Sequence, residues 1–283
     1  MSDFAGKVAV VTGAGSGIGR ALALGLARRG ARLALSDVDG AGLAGTADEV
    51  SALGAPVHAE RLDVGDRDAF GAYAAAVAGH YGVVHQLYNN AGIADSAPSI
   101  LESNYDAFER VLRVNLWGVI QGTKEFLPHL VASGDGHVVN ISSLNGFLAQ
   151  AGLGPYCTSK FAVRGFTETL RSEMLRDGHP VRVTVVHPGG VATNIAVAAL
   201  TAARERGETV TAEQESRTRT YSEKLLRMDP QRAATIILDG VRADRPRILV
   251  GNDAKAVDVL VRLVPRNYPR LVNWWGKRLF PEQ

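Results

Sequence analysis

Cysteine is nearly absent from this chain: Cys157 is the only one in 283 residues. A single thiol excludes an internal disulfide and a cysteine-based zinc cluster. Long hydrophobic runs are missing too, and no apolar stretch nears the roughly 18 residues that span a bilayer. The histidines fall at no spacing that suggests a metal site or a serine triad, so no metal is expected. Net charge is small: 31 Lys and Arg against 29 Asp and Glu leave +2, too weak a field to point to nucleic acid as a partner. Asp3 near the start and an apolar stretch of only residues 8–11 do not make a signal peptide. The expectation is a reducing, cytoplasmic setting. Repeats and linker-like low-complexity segments are also absent.

What is present is ordinary globular composition, 46% hydrophobic and 21% charged, which excludes disordered and fibrous classes. Short β-branched or aliphatic runs ("KVAVVTG", "ARLALSD", "VHAERLDV", "HQLYNNAG", "HVVNISS", "VRVTVVHPG", "RILVG") alternate with longer segments of helical spacing such as "IGRALALGLARRG". That alternation predicts crossover connections and one doubly wound α/β domain. Its sheet has about seven parallel strands, with helices on both faces. The domain is expected over residues 1–251. Within it the polar stretch 195–228 is expected to form helices and a loop over the site. Residues 252–283 read as a basic, amphipathic extension.

The run "VVTGAGSGIGR" follows the first strand and opens the first helix. Gly13, Gly17 and Gly19 there permit a tight turn and close approach of backbone to a pyrophosphate. The helix N-terminus, around Ser16 and Ile18, offers N–H groups and a partial positive charge to phosphates. Asp37 ends the second strand 18 residues after Gly19 (37 − 19). A carboxylate there accepts from a ribose 2′-hydroxyl and repels a 2′-phosphate, which favours NAD(H) over NADP(H). Arg20 is the residue that could help a phosphate, but it points along the first helix. As an alternative, Asp37 reads as a strand-end turn residue.

The spacing T-G-x-x-x-G-x-G, at 12–19, resembles the short-chain dehydrogenase/reductase family, and the likeness extends over roughly residues 5–250. The resemblance implies an NAD(P)-binding Rossmann-fold oxidoreductase. Val38 stands where many NADP users of the family carry arginine. By the same resemblance Asp63 and Val64 meet the adenine ring, and Asn90, Ala91 and Gly92 shape the cofactor floor, although Asn90 reads equally as a turn residue. Pro188, Gly189, Val191 and Thr193, in "HPGGVAT", match the segment that holds the nicotinamide carboxamide. His187, just before it, reads as structural rather than catalytic.

In "PYCTSK", Tyr156 and Lys160 stand four apart, one helical turn on one face. Alone the pair reads as a solvated helix face. Ser143 lies 13 residues before Tyr156 (156 − 143), the family's interval between its serine and tyrosine, and Asn115 matches its helix asparagine. A phenol of ordinary pKa near 10 is a poor base at neutral pH; a nearby ammonium and a positive nicotinamide ring favour the phenolate. Tyr156 is therefore the expected general acid–base, Lys160 lowers its pKa, and Ser143 positions the substrate oxygen. The resemblance adds that Lys160 holds the nicotinamide ribose and that Asn115 anchors a water leading from Lys160 to solvent. Ser142 is the alternative serine, since neighbours on a strand face opposite ways, and Cys157 reads as packing.

Substrate contacts are expected from Ser143, Asn145, Gln150, Leu153, Tyr156 and Gly189. Leu144, Phe147, Leu148 and Leu153 suggest an apolar pocket for a secondary alcohol or ketone of moderate size. Two other functions stay open: a dinucleotide-binding regulatory protein without turnover, and an epimerase or dehydratase. Family resemblance implies a homo-oligomer, dimer or tetramer. From residue 251 on, six Lys and Arg face three Asp and Glu. With Trp274, Trp275 and Phe280, the tail has three readings: packing on the body or a neighbouring subunit, a lid, or a membrane contact.

Overall fold

The seven apolar runs form one all-parallel sheet: β1 (Val8–Thr12), β2 (Arg32–Asp37), β3 (Val57–Arg61), β4 (Gln86–Asn89), β5 (Gly136–Ile141), β6 (Val181–Pro188) and β7 (Arg247–Val250). The computed structural model describes residues 4–95 and 99–279. Strand order is β3-β2-β1-β4-β5-β6-β7, so the chain reverses its winding between β1 and β4. That reversal opens a crevice at the carboxyl ends of those two strands, where such sheets bind ligands.

The helices are α1 (Gly17–Ala27), α2 (Gly40–Ala52), α3 (Arg67–Tyr81), α4 (Tyr105–Leu112), α5 (Gly118–Ala132), α6 (Gly154–Arg176), α7 (Ile195–Glu205), α8 (Ala212–Lys224), α9 (Pro230–Arg242), α10 (Asn252–Leu263) and α11 (Tyr268–Leu279). The period of two along each strand sorts its side chains between two cores. Ala9 and Val11 join Leu33, Leu35 and Val139 beneath α1 and α9, with Leu22, Leu26, Ile237 and Leu238. Val8 and Val10 join Leu87 and Val138 beneath α3, α5 and α6, with Phe70, Tyr73, Phe126 and Leu170. β1 is buried along its whole length, as a central parallel strand covered on both faces must be. Residues 195–228 contribute the helices α7 and α8. Among the described residues no helix is long and apolar enough to cross a membrane.

Candidate active site

The glycine turn is built for a close neighbour. Gly13 has φ +66°, and a Cβ there would come 2.7 Å from the Cα of Ala91; a Cβ on Gly19 would fall on the Gly13 carbonyl oxygen. Thr12 ties the turn to the end of β4: its hydroxyl accepts from the Asn90 and Ala91 N–H groups at 3.0 and 3.1 Å. The Asn90 amide donates to the carbonyls of Thr12 and Gly13 at 3.0 and 3.1 Å. Side chains cap the N-termini of α2, α3, α4 and α8. Ser16, the N-cap of α1, makes no such bond, and neither do the N-cap residues of α6, α7, α9 and α10. At α1 the uncapped first turn adjoins the glycine turn, where its N–H groups can meet a pyrophosphate. The residues present fit a dinucleotide.

Asp37 faces the same turn. One carboxylate oxygen accepts from Gly15 N–H at 2.8 Å and the other from Asp39 N–H at 2.9 Å, so the group is held in one orientation with lone pairs to spare. Arg20 is engaged by Glu49. Asp63 accepts from Gly65 N–H at 2.9 Å and from Arg113 at 2.8 Å. Burial pushes its carboxyl up, but Arg113 and the Gly65 N–H outweigh that and hold it below its usual value. Val64 is buried against Gly118. On the far side, Thr193 lies against Gly17, its Cγ2 3.1 Å from where a Cβ would be. The loop of Pro188, Gly189, buried Val191 and Thr193 therefore closes on the glycine turn. That loop is held from two directions. Gly190 N–H donates to Asp253 of α10 at 2.6 Å, and the Gly190 carbonyl accepts from Arg227 and Met228 N–H at 3.1 and 3.0 Å.

Ser143 ends the strand segment after β5 and caps a short 3₁₀ turn, Leu144–Gly146, its hydroxyl accepting from Asn145 N–H at 3.1 Å. Ser142 donates instead to the Lys160 carbonyl at 2.8 Å, so of the two serines it is Ser143 that faces Tyr156. Lys160 is 4% exposed. Its ammonium donates to the Ile141 carbonyl at 3.0 Å and lies 5.6 Å from the centre of the Tyr156 ring. Burial lowers its pKa to about 8. Burial likewise pushes the Tyr156 phenol above its ordinary value; the Ser143 hydroxyl bonded to it pulls down, and Tyr221 and Cys157 push up. Lysine alone therefore does not make this phenol acidic: the direction without a dinucleotide is upward. Gly92 sits between Asn115 and Lys160, where a Cβ would lie 3.3 Å from the Asn115 amide oxygen and 3.5 Å from Lys160 Nζ.

Asn115 is fully buried in a π-helical turn, Arg113–Trp117, between α4 and α5, a local widening that often marks functional sites. Its amide donates to the Ile93 carbonyl at 2.9 Å and to the Ser159 hydroxyl at 3.0 Å, and accepts from Ile93 N–H at 2.8 Å. Ser159 in turn donates to the Tyr156 carbonyl at 2.7 Å.

The substrate side departs further from sequence expectation. Phe147 and Leu148 are buried, with Phe147 stacked edge-on to His187 at 5.0 Å and covered by Arg247. They pack the body rather than line an opening. Asn145, 3% exposed, donates to the Leu148 carbonyl at 3.2 Å and to the Gln150 side chain at 3.3 Å, which braces the loop. Leu144, Gln150 and Leu153 stay half-exposed, and Cys157 is buried beneath the loop. Sequence reading missed four contributors. Thr12 and Ser159 lie inside the quoted motifs, so their signal was available. His187, expected to be structural, has a bracing role: its Nδ1 donates to the Ser143 carbonyl at 2.7 Å. Asp253 and Tyr221 carry no local signal. Among the described residues no cluster of His, Cys, Asp and Glu could hold a metal.

The short chain dehydrogenase family profile matches residues 7–204. A Mycobacterium tuberculosis protein named oxidoreductase SadH is 52% identical over 281 residues, 99% of each chain. The cyclohexanol dehydrogenase of an Acinetobacter strain is 33% identical over 192 residues, 68% of this chain and 76% of that one. Among solved structures, a short chain dehydrogenase/reductase of Burkholderia phymatum in complex with NAD superposes with a TM-score of 0.86 at 34% identity, covering 95% of this chain and 96% of that one.

Proposed function

The chain belongs to the short-chain dehydrogenase family of oxidoreductases, and from that premise we propose that it moves a hydride between NAD(H) and a largely apolar secondary alcohol or ketone of moderate size. The observation that carries this reading is the convergence of Ser143, Tyr156 and Lys160 at the carboxyl end of β5, with the Tyr156 phenol bonded to the Ser143 hydroxyl. When bound, the nicotinamide supplies the hydride acceptor and, oxidised, a positive charge beside the phenol.

An alcohol carbon gives up a hydride only if its hydroxyl proton also leaves. Tyr156 is the group that takes that proton, or returns it in reduction. Bringing a phenol from its ordinary pKa of about 10 to 7 requires about 4 kcal/mol in favour of phenolate, and burial adds to the requirement. Lys160, kept cationic below about pH 8, contributes from one side. Ser143 donates to the substrate oxygen and to charge developing on it. Asn115, through Ser159, keeps the backbone at Tyr156 in register with the floor at Ile93. Lys160 and Asn115 also hold the nicotinamide ribose and a proton path in this reading. Asp37 accepts from the adenosine ribose, and the pairing of Arg20 with Glu49 leaves it occupied, which supports NAD over NADP. Trp117 and Phe161, 47% and 40% exposed on the helical segments that carry Asn115 and Tyr156, support a homo-oligomer through those helices.

Turnover of a panel of secondary alcohols with NAD+ and NADP+ tests the reading and separates it from a silent dinucleotide-binding protein and from an epimerase or dehydratase. Tyr156→Phe is expected to retain NADH binding and lose at least ~10²-fold in rate. Parental rates in that variant would remove Tyr156 from its role.

A further inference from the structure

We infer that α10 and α11 form a docking surface for an anionic lipid bilayer. These helices leave five large apolar residues exposed. Trp275 is 64% exposed, Trp274 49% and Leu271 43%; in α10, Val259 is 54% exposed and Leu263 76%. Phe280 lies outside the described residues. Positions 271 and 275 stand one turn apart on α11, as 259 and 263 do on α10, so each helix carries an uncovered apolar stripe.

Charge identifies the occupant. Residues 259–279 hold Arg262, Arg266, Arg270, Lys277 and Arg278 and no Asp or Glu. The last acid before them, Asp258, is already taken by Arg247 and Arg262. Arg278 stacks on the Trp274 ring at 3.9 Å. Aliphatic and indole groups beside cations, in a stretch without a single acid, match the acyl–headgroup boundary of a membrane with anionic lipid. A second copy of the chain would bring the same cations face to face. A lid closing inward would desolvate these cations with no acid in residues 259–279 to pair them. Nucleic acid has nothing to offer Leu263 and Val259.

The surface is anchored firmly at one end. Arg247 of β7 holds Asp258 through two hydrogen bonds, at 3.0 and 2.7 Å, and Ala254 is fully buried. Tyr268, at the start of α11, accepts from Ala149 N–H at 3.4 Å, beside the loop that carries Gln150 and Leu153. Docking would therefore turn that loop towards the bilayer. That a membrane-dissolved alcohol would then gain access rests on the function proposed above; the docking itself does not.

The full-length protein is to be sedimented with vesicles of phosphatidylcholine alone and of phosphatidylcholine with one-third phosphatidylglycerol, while tryptophan emission is followed. Binding is expected only to the anionic vesicles, weakened by salt, with a blue shift that the Trp274→Phe/Trp275→Phe variant lacks. Arg266→Glu/Arg270→Glu/Arg278→Glu is expected to bind at least ~100-fold more weakly while turning over a water-soluble secondary alcohol at the parental rate. No sedimentation with anionic vesicles, or equal binding to both lipids, would overturn the inference. So would an emission already blue in buffer that turns red when the arginine changes dissociate an oligomer, which assigns the face to a second copy. A dead enzyme that still binds vesicles would count against the proposed function and leave the docking standing.

Discussion

Lys160 keeps a cation where water barely reaches. Its folded pKa of about 8 lies below the ordinary 10.5, so between those values the unfolded chain binds the extra proton and the folded one does not. Stability from this group therefore rises with pH across that window, and below pH 8 the buried charge costs roughly 3 kcal/mol. The hydrogen bond to the Ile141 carbonyl returns part of it. Lys160→Met is expected to be catalytically dead yet no less stable than the parent at pH 7. The parent should gain on it as pH rises from 8 to 10.5, a difference that urea titrations at several pH values will read. If the gap between the two does not change across that range, Lys160 is not buried as a cation. Tyr156 shows the same principle with the opposite sign, because burial disfavours its charged form and raises its pKa. The pair is set apart by desolvation before any cofactor binds. The i, i+4 spacing in "PYCTSK" made the juxtaposition readable, but not the direction of the phenol's shift, which depends on packing around it.

At the scale of elements, the site is assembled by contacts between chain ends that are remote in sequence. The N-terminus of α10 reaches back 63 residues so that Asp253 receives the Gly190 N–H, while Arg227 and Met228, past the end of α8, grip the Gly190 carbonyl. A hydrogen bond to a charged partner contributes about 1.5–3 kcal/mol. Asp253→Ala is accordingly expected to raise the KM for dinucleotide at least ~10-fold with a much smaller change in kcat, and Asp253→Asn, which still offers an acceptor, to recover part of it. A KM unchanged in both variants would mean that the 188–193 loop needs no such tether. The uncapped start of α1 and the π turn at Asn115 are also properties of elements. The first was legible from the glycine spacing. The second was not, because one extra residue in a helical turn leaves no mark on an apolar pattern read at 3.6 residues.

Across the whole molecule, two histidines are sealed in neutral form. Burial lowers His137 to about 3 and His187 to about 4. Each adds stability that is present above the ordinary 6.5 and is lost as pH falls towards the folded value, several kcal/mol in sum. The protein is expected to lose stability steeply between pH 6.5 and 4, and His187→Asn to flatten that fall; an unaltered slope by chemical denaturation would contradict neutral burial of His187. The seven strands, their parallel sense and the turn at 12–19 were readable from the chain, because alternation of short apolar runs with helical segments is a local pattern and a buried parallel strand needs an unbroken apolar run. The approach of Ser143 to Tyr156 and Lys160 was legible only through the resemblance, which supplied the serine–tyrosine interval. Packing alone decided that Phe147 and Leu148 turn inward, that Asn145 braces its own loop, that His187 holds Ser143, and that Trp274 and Trp275 stay outside. An apolar side chain reports only that it seeks cover. Which neighbour supplies the cover, or whether any does, depends on residues dozens of positions away, and only the folded chain brings those together.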